Sequence, residues 1–256
     1  GDYTRNTGVE RINPKAITHI PTFTSNIESL IKIAGMGVHS HDELSSQYNV
    51  RGGNYDENLI YLNGSEVNRP FLIRSGQQEG LSFINPDLVS SVNFSSGGFN
   101  AQYGDKMSSV LDVKYKTPIH FGGSFYGSLL GAGGHLEGAS KNQKFSYLFG
   151  VRYQSNAYLI KQMQTEGESR PNATDIQLML NYTPNEKWKL SLFGNYALNK
   201  YILIPTSRET TFGTINNAKR LRIYFDGQEV DAYQTVFTSL ISSYTINKDN
   251  NLQFIV

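Results

Sequence analysis

The sequence predicts a mixed α/β domain followed by antiparallel strands of a transmembrane β-barrel. Three observations lead to this fold class. Aromatic residues make up 12% of the 256 residues, as expected where aromatic side chains collect at both membrane interfaces. From residue 118 onward, apolar and polar residues alternate over several runs, which is typical of half-buried strands. Short and long connections between these runs also alternate, which indicates a barrel with short periplasmic turns and long extracellular loops.

Composition excludes several function classes. The formal net charge of +1 argues against a nucleic-acid partner, which usually requires a basic face. The chain has no cysteine, so it forms no disulfide framework and no thiolate metal site. No run approaches the ~18 apolar residues of a membrane helix, and no signal peptide heads the chain, so a mature or trimmed form is expected.

Catalytic motifs are also missing from the sequence. It contains no Gly-x-Ser-x-Gly, no phosphate-binding loop after a strand and no His-Glu-x-x-His, so we expect neither an enzyme nor a cofactor. His39, His41 and Glu43 lie close together, but two histidines in an irregular segment have no enforced geometry. We interpret them as a solvated loop and expect no metal site.

The first domain begins with a polar arm over residues 1–11 and a first strand over 12–20. A helix is predicted next, because Ser25 and Glu28 form a capping box and apolar residues then recur on one face up to Ala34. Gly35 and Gly37 end it. The helix completes the α/β character of this domain.

Two stretches carry strand and turn signals. In the first, Arg51 precedes Gly52 and Gly53, and the run Leu-Ile-Tyr-Leu leads into an Asn63–Gly64 turn. The guanidinium of Arg51 can donate to several acceptors at once, so we expect it to be buried and hydrogen-bonded. In the second stretch, strands at 89–94 and 110–115 flank the glycine-rich connection Gly-Gly-Phe-Asn-Ala-Gln-Tyr-Gly at 97–104.

These two stretches resemble the plug domain of TonB-dependent outer-membrane receptors, in wording closest to those of the Bacteroidota. The resemblance implies a plug over residues 1–117 and the first part of a transmembrane barrel over 118–256. Plugged barrels of this kind have about 22 strands, so about seven strands make an incomplete barrel. The plug residues that the resemblance singles out as structural are Arg51, Gly52, Gly53, Gly97, Gly98, Tyr103 and Gly104.

The resemblance also implies a function in the bacterial outer membrane. The expected activity is import of a scarce ligand, driven by a TonB-like periplasmic energy transducer. Siderophore, vitamin, glycan and peptide ligands all stay open. A polar loop between the two stretches is the candidate ligand surface, although a connector without a ligand is an equal alternative. Its candidate ligand-binding residues are Arg69, Phe71, Arg74, Gln77, Gln78 and Glu79.

Seven barrel strands are predicted, at about 119–129, 135–140, 145–153, 176–182, 188–196, 232–246 and from 252. Long loops are predicted at 156–172 and 200–231. The row expected to face lipid is Phe145, Phe149, Val151, Ile176, Leu178, Leu180, Leu190 and Leu192. The row expected to face the lumen or the plug is Ser146, Arg152, Gln177, Asn181, Lys189, Ser191 and Asn195. The aromatic residues expected at the membrane interfaces are Tyr153, Tyr182, Trp188 and Tyr196.

Two alternative functions stay open at this point. A receptor-derived barrel could serve as a structural subunit of a larger outer-membrane complex, with a surface lipoprotein or other outer-membrane subunits as partners. A soluble β-rich binding domain is the other alternative, and it would need no detergent for extraction. In a soluble domain, the apolar row would pack against the first domain and the polar row would meet solvent.

Overall fold

The structure is a computed structural model, and it describes part of the chain. The described residues are 9–12, 38–39, 49–50, 58–67, 82–95, 109–155, 168–169, 172–204, 208–214, 217–223, 227, 229–248 and 250–256. They form a five-stranded sheet, an eight-stranded sheet and two two-stranded sheets.

The five-stranded sheet belongs to the first domain and has the order β1-β6-β7-β4-β5. Strand β6 pairs antiparallel with β1 and β7, whereas β4 and β7 are parallel. The strands are β1 Val9–Ile12, β4 Asn58–Leu62, β5 Ser65–Glu66, β6 Val89–Ser95 and β7 Ser109–Tyr115. Two short strands, β2 Val38–His39 and β3 Asn49–Val50, pair with each other.

Some of the elements predicted for this domain are confirmed and one is wrong. The strands at 89–94 and 110–115 are confirmed by β6 and β7. The hairpin at Asn63 and Gly64 is confirmed as well, because both residues have positive φ, 52° and 91°, as tight hairpin turns require. The start of the domain was predicted wrongly, since β1 lies mostly in the segment expected to be a polar arm. The helix at 25–34 lies outside the described residues.

The eight-stranded sheet contains the predicted barrel strands in the order β17-β16-β13-β12-β10-β9-β8, with β11 paired to β13. All pairings in this sheet are antiparallel. The strands are β8 Gly122–Ser128, β9 Gly131–Ala139, β10 Phe145–Ser155, β11 Glu168–Ser169, β12 Asn172–Asn185, β13 Trp188–Ile204, β16 Glu229–Thr245 and β17 Asn251–Ile255.

Several bounds differ from the prediction. Strands β12 and β13 extend beyond the predicted 176–182 and 188–196, and β11 lies inside the predicted long loop at 156–172. The second strand was predicted to begin at residue 135, but β9 begins at Gly131 and the first turn lies at 129–130. The predicted long loop at 200–231 contains a separate hairpin of β14 Arg208–Thr214 and β15 Asn217–Ile223. Among the described residues, each strand of this hairpin pairs only with the other. The sequence therefore contained no long alternating run that would have predicted it.

Side-chain exposure alternates along the eight-stranded sheet. Ile176, Leu178 and Leu192 are exposed, whereas Gln177 and Asn195 are buried. We call the face that carries the buried row the inner wall. It covers the five-stranded sheet, and the core lies between them. The inner wall meets the first domain with polar side chains and with buried apolar ones such as Leu148 and Phe193. A row of apolar side chains stays exposed on the opposite face, which a soluble domain would have packed against the first domain. Lys189 departs from the predicted pattern, because it is exposed beside the turn at 186–187.

Within the part of the chain that the structure describes, no helix has the length and apolar character needed to cross a membrane.

Candidate functional site at the contact of the two domains

Among the described residues, segment 82–88, which leads into β6, makes an extensive contact between the domains. Asn85 caps a 3-10 turn over Pro86–Leu88, and its Oδ1 accepts from the backbone N–H of Asp87 at 3.1 Å. Lys116, just after β7, donates its backbone N–H to the Leu88 carbonyl at 2.8 Å. Asn85 and Leu88 are fully buried. Segment 82–88 is therefore fixed within its own domain while it faces the inner wall.

Arg152 of β10 binds this segment from the wall. Its Nη2 donates to the Ser82 carbonyl at 2.7 Å and its Nη1 donates to the Ile84 carbonyl at 3.0 Å. Asp175 of β12 holds the guanidinium, because its Oδ2 accepts from Nη2 at 2.6 Å and from Nε at 2.9 Å. The two side chains are 3% and 0% exposed. A buried charge pair needs such additional hydrogen bonds to offset desolvation, and here the first domain supplies two of them.

Gln177 continues the contact one pleat along β12. Its Nε2 donates to the Phe83 carbonyl at 2.6 Å, and its Oε1 accepts from the Tyr115 hydroxyl at 2.6 Å. The same hydroxyl accepts from the backbone N–H of Asn85 at 3.0 Å. Burial raises the pKa of Tyr115, so its hydroxyl keeps the proton that it donates to Gln177.

Asn195 of β13 completes the group by donating to Asp175 Oδ1. We call the wall residues Arg152, Asp175, Gln177 and Asn195 the buried polar cluster. Three consecutive backbone carbonyls, those of Ser82, Phe83 and Ile84, accept from this cluster. Loss of a hydrogen bond to a buried acceptor costs about 1–3 kcal/mol. The cluster therefore seats segment 82–88 against the wall.

Aromatic packing surrounds the polar contacts. The ring of Phe83 lies 5.3 Å from that of Phe237 and 6.1 Å from that of Phe193, both edge-on. The Tyr115 ring lies 5.8 Å from Phe193. Edge-on aromatic pairs contribute beyond the area that they bury. These rings close the space beside the buried polar cluster.

The hairpin of β4 and β5 makes a second contact with the wall. The hydroxyls of Ser65 and Ser239 are hydrogen-bonded at 2.6 Å, and both residues are buried. Asn63 accepts from the backbone N–H of Tyr115 at 2.9 Å and donates to Met179 Sδ at 3.3 Å. This contact holds the hairpin to β12 and β16.

A charged group lies where the chain passes between the two sheets. Glu137 on β9 is 3.5 Å from Lys116 Nζ and 3.6 Å from His135 Nε2. The other ring nitrogen of His135 is 2.8 Å from the Ser124 hydroxyl. These side chains are partly exposed and make no hydrogen bond to Glu137 Oε2, so the group attaches Lys116 to the wall only by charge.

Most sequence-predicted site residues lie outside the described residues. They are Arg51, Gly52, Gly53, Arg69, Phe71, Arg74, Gln77, Gln78, Glu79, Gly97, Gly98, Tyr103 and Gly104. The four aromatic residues predicted at the membrane interfaces are described, and each is exposed, from 37% for Tyr196 to 48% for Tyr153. Trp188 Nε1 donates to the Ser242 hydroxyl at 3.0 Å.

The buried polar cluster was not identified as a site from the sequence. Arg152, Gln177 and Asn195 were predicted to face inward, but nothing in the sequence joined them to residues 82–85. The only available signal was the polar row itself, which included Arg152 but not Asp175, because the predicted strand began at residue 176. Among the described residues, no group of three or more His, Cys, Asp or Glu side chains could hold a metal ion. The cluster can bind backbone groups and fix their position.

Comparison with known proteins identifies the first domain. Residues 4–110 match the family model of the TonB-dependent Receptor Plug Domain. No curated protein matches the chain.

Solved structures share the fold at low sequence identity. The siderophore receptor PirA from Pseudomonas aeruginosa is 15% identical with a TM-score of 0.54, over 93% of this chain and 43% of that one. The ferric enterobactin receptor PfeA from the same organism, in complex with enterobactin, gives 15% and 0.55, over 97% and 45%. FpvA of P. aeruginosa bound to a pyoverdine gives 14% and 0.61, over 96% and 33%. The chain spans less than half the length of these structures.

Proposed function

Because this chain carries the plug domain of the TonB-dependent receptors, followed by strands that fold as part of their barrel, we propose that it belongs to an outer-membrane transporter. The transporter imports a scarce ligand through a barrel that the plug closes. The plug covers residues 1–117 and the barrel strands begin after residue 118. Strand β7 ends at Tyr115 and β8 begins at Gly122, which supports a division between them.

One observation carries this proposal. The eight-stranded sheet presents apolar side chains on its outer face, while its inner wall holds the plug with a buried charge pair and three side-chain to carbonyl bonds. Strands that cross a membrane need an apolar outer face and tolerate a polar interior. A plug that is bound by the interior face blocks the lumen, so import requires the plug to change position or shape.

The plug contact explains why energy is needed. Opening residues 82–85 would expose three carbonyls and a charge pair together, and a ligand can shift this equilibrium only by its differential affinity for the two states. Work supplied from the periplasmic side by a TonB-like transducer would add to that affinity. We therefore include an energy transducer among the partners, together with outer-membrane lipid.

The ligand site is proposed at Arg69, Phe71, Arg74, Gln77, Gln78 and Glu79. Two arginines and two glutamines supply forked donors for carboxylate, catecholate or hydroxyl oxygens. The ligand class stays open among siderophores, vitamins, glycans and peptides. The relatives that bind enterobactin and pyoverdine make a ferric siderophore the first probe to use.

Uptake by whole cells tests the proposal. The full-length gene is expressed in an outer-membrane receptor-deficient strain, and cells are given labelled ferric enterobactin, cyanocobalamin or an oligosaccharide. We expect the protein in the detergent-extracted outer-membrane fraction, and accumulation of one probe that a protonophore abolishes. Arg74→Ala should weaken that accumulation, whereas Lys141→Ala in the 140–144 turn should not.

Two results would contradict the proposal. Recovery of the folded full-length protein without detergent would indicate a soluble binding domain. A membrane-embedded protein that takes up none of the probes, but purifies with a surface lipoprotein or other subunits, would favour the structural-subunit alternative.

A further inference from the structure

At Gly150 the wall lies directly against segment 82–88. It lies on β10 between two inward-facing residues, Leu148 and Arg152, and pairs with His135 and Gln177 on the neighbouring strands. A Cβ atom at Gly150 would lie 2.7 Å from Asn85 Nδ2, and 3.0 and 3.1 Å from the two terminal methyl groups of Leu88. The absence of a side chain at this position is therefore what lets the turn of residues 85–88 reach the wall.

The two side chains that fill this space have little freedom to move away. Asn85 is fully buried, its Oδ1 accepts from Asp87 and its backbone N–H donates to Tyr115. Leu88 is fully buried, and its carbonyl accepts from Lys116. Close-packed protein interiors transmit a displacement instead of absorbing it. A side chain at Gly150 would push the turn, and with it the carbonyls that the buried polar cluster holds.

We infer that Gly150 is a positioning residue for closure: by admitting Asn85 and Leu88 to the wall, it determines whether segment 82–88 seals the lumen along β10–β13. The inference rests on the proposed transporter function. The close approach at Gly150 and the carbonyl bonds of Arg152 and Gln177 hold the same short segment, so the contact that closes the lumen lies at this one place. Larger side chains at 150 should open a leak in proportion to their size.

Gly194 provides a matched control. It lies on β13, in the same sheet, and a Cβ atom there would meet no heavy atom within 4 Å. It pairs with Leu178 and Thr238, which are exposed. Substitution at Gly194 has the same effect on strand propensity as substitution at Gly150, but it leaves segment 82–88 untouched.

Ion conductance of the full-length protein in planar lipid bilayers measures the seal without knowledge of the ligand. Gly150→Ala, Gly150→Val and Gly194→Val proteins are compared with the unsubstituted protein in potassium chloride, after gel mobility with and without heating has shown that each barrel is folded. We expect a time-averaged current that rises from Gly150→Ala to Gly150→Val, with the valine variant on the order of tenfold above the unsubstituted protein. Gly194→Val should conduct no more current than the unsubstituted protein.

A disulfide separates plug displacement from a general barrel defect. The Ser65 and Ser239 hydroxyls are 2.6 Å apart, and this chain has no cysteine of its own, so Ser65→Cys with Ser239→Cys can tie the plug to the wall. In the Gly150→Val background, oxidation should suppress the leak and reduction should restore it.

Each outcome decides the inference. The inference would be overturned if a folded Gly150→Val protein conducted no more current than Gly194→Val. It would also be overturned if oxidation of the cysteine pair left the leak current unchanged. If the unsubstituted full-length protein conducts like an open pore, the barrel is not plugged and the proposed function fails instead.

Discussion

Arginine and carboxylate side chains pair in two regions of this molecule, with opposite surroundings. At the plug contact, Arg152 and Asp175 are 3% and 0% exposed and also bind backbone groups and other side chains. On the β14–β15 hairpin, Glu209 accepts from Arg222 and is 2.9 Å from Arg220 Nε, but Arg222 and Glu209 are 52% and 35% exposed. The two groups have similar bond lengths and the same chemical partners.

The difference shows that burial, and not geometry, sets the consequence of losing a partner. An exposed pair contributes about 0–1 kcal/mol, because water solvates whichever charge is left. In a buried pair, removal of one partner leaves a charge without solvent, at about 3–5 kcal/mol. The position of residues 82–88 should therefore depend strongly on the pair at the plug contact, whereas the hairpin pair only favours the cross-strand register.

The largest effect is expected for Asp175→Asn. The substitution keeps the shape of the side chain but leaves the Arg152 guanidinium buried without its carboxylate. We expect the free energy of local opening of residues 82–88 to fall by about 3–5 kcal/mol, measured by amide hydrogen exchange on the full-length protein in detergent.

A second substitution checks the cause of that loss. In the double variant with Arg152→Met and Asp175→Asn, no unpaired charge is left in the interior. Part of the protection should therefore return, although the bonds from Arg152 to the Ser82 and Ile84 carbonyls are still missing. If Asp175→Asn alone lowers the free energy of local opening by less than about 1 kcal/mol, the buried pair contributes no more than an exposed pair, and the comparison is contradicted.

Gln177→Leu should give the next largest effect. Leucine cannot donate to the Phe83 carbonyl or to Asp175, and it cannot accept from Tyr115. Three buried groups therefore lose a partner, at about 2–3 kcal/mol in the same exchange measurement. Asn181→Leu is the matched control, because Asn181 is an amide on the same strand that donates to Ser146 within the wall. Equal losses in the two variants would mean that the bond to Phe83 has no special role.

The sequence predicted the parts of this contact that depend on local pattern. Alternation placed Gln177 and Asn195 on the inner face, and the Asn63–Gly64 turn followed from residues that tolerate positive φ. The pairing of Arg152 with the carbonyls of Ser82 and Ile84 could not be predicted, because it joins distant parts of the chain through backbone acceptors that every residue carries. The β14–β15 hairpin was missed for a related reason: its short strands lie inside a long connection and extend no sheet.

Tyr115→Phe should have a smaller effect that also depends on pH. Loss of the hydroxyl removes one bond to Gln177 and one from Asn85, at about 1–2 kcal/mol near neutral pH. The folded-state pKa of Tyr115 is raised above the ordinary value of 10 by burial, so the unfolded state loses its proton first as the pH rises. The stability that this group contributes is present below about pH 10 and falls above it.

The phenylalanine variant has no such proton at position 115. The difference in unfolding free energy between the two proteins should therefore narrow above about pH 10, as measured by denaturant titration of the full-length protein at several pH values. A difference that stays constant, or widens, would show that the Tyr115 hydroxyl does not remain buried and protonated in the folded state.

The smallest effect is expected for Glu209→Gln on the hairpin. The substituted amide can still accept from Arg222 through its carbonyl oxygen, and water can solvate both guanidiniums, so stability should change by no more than about 1 kcal/mol.

The charge part of the interaction is open to screening, because the Debye length is about 8 Å at physiological ionic strength and about 3 Å at 1 M. Any loss measured by amide exchange in β14 and β15 at low salt should therefore shrink toward zero at about 1 M salt, while the loss caused by Asp175→Asn persists because its charges are shielded from solvent ions. Equal salt sensitivity at the two places would mean that ions reach the Arg152–Asp175 pair, and the plug contact would then be open to water.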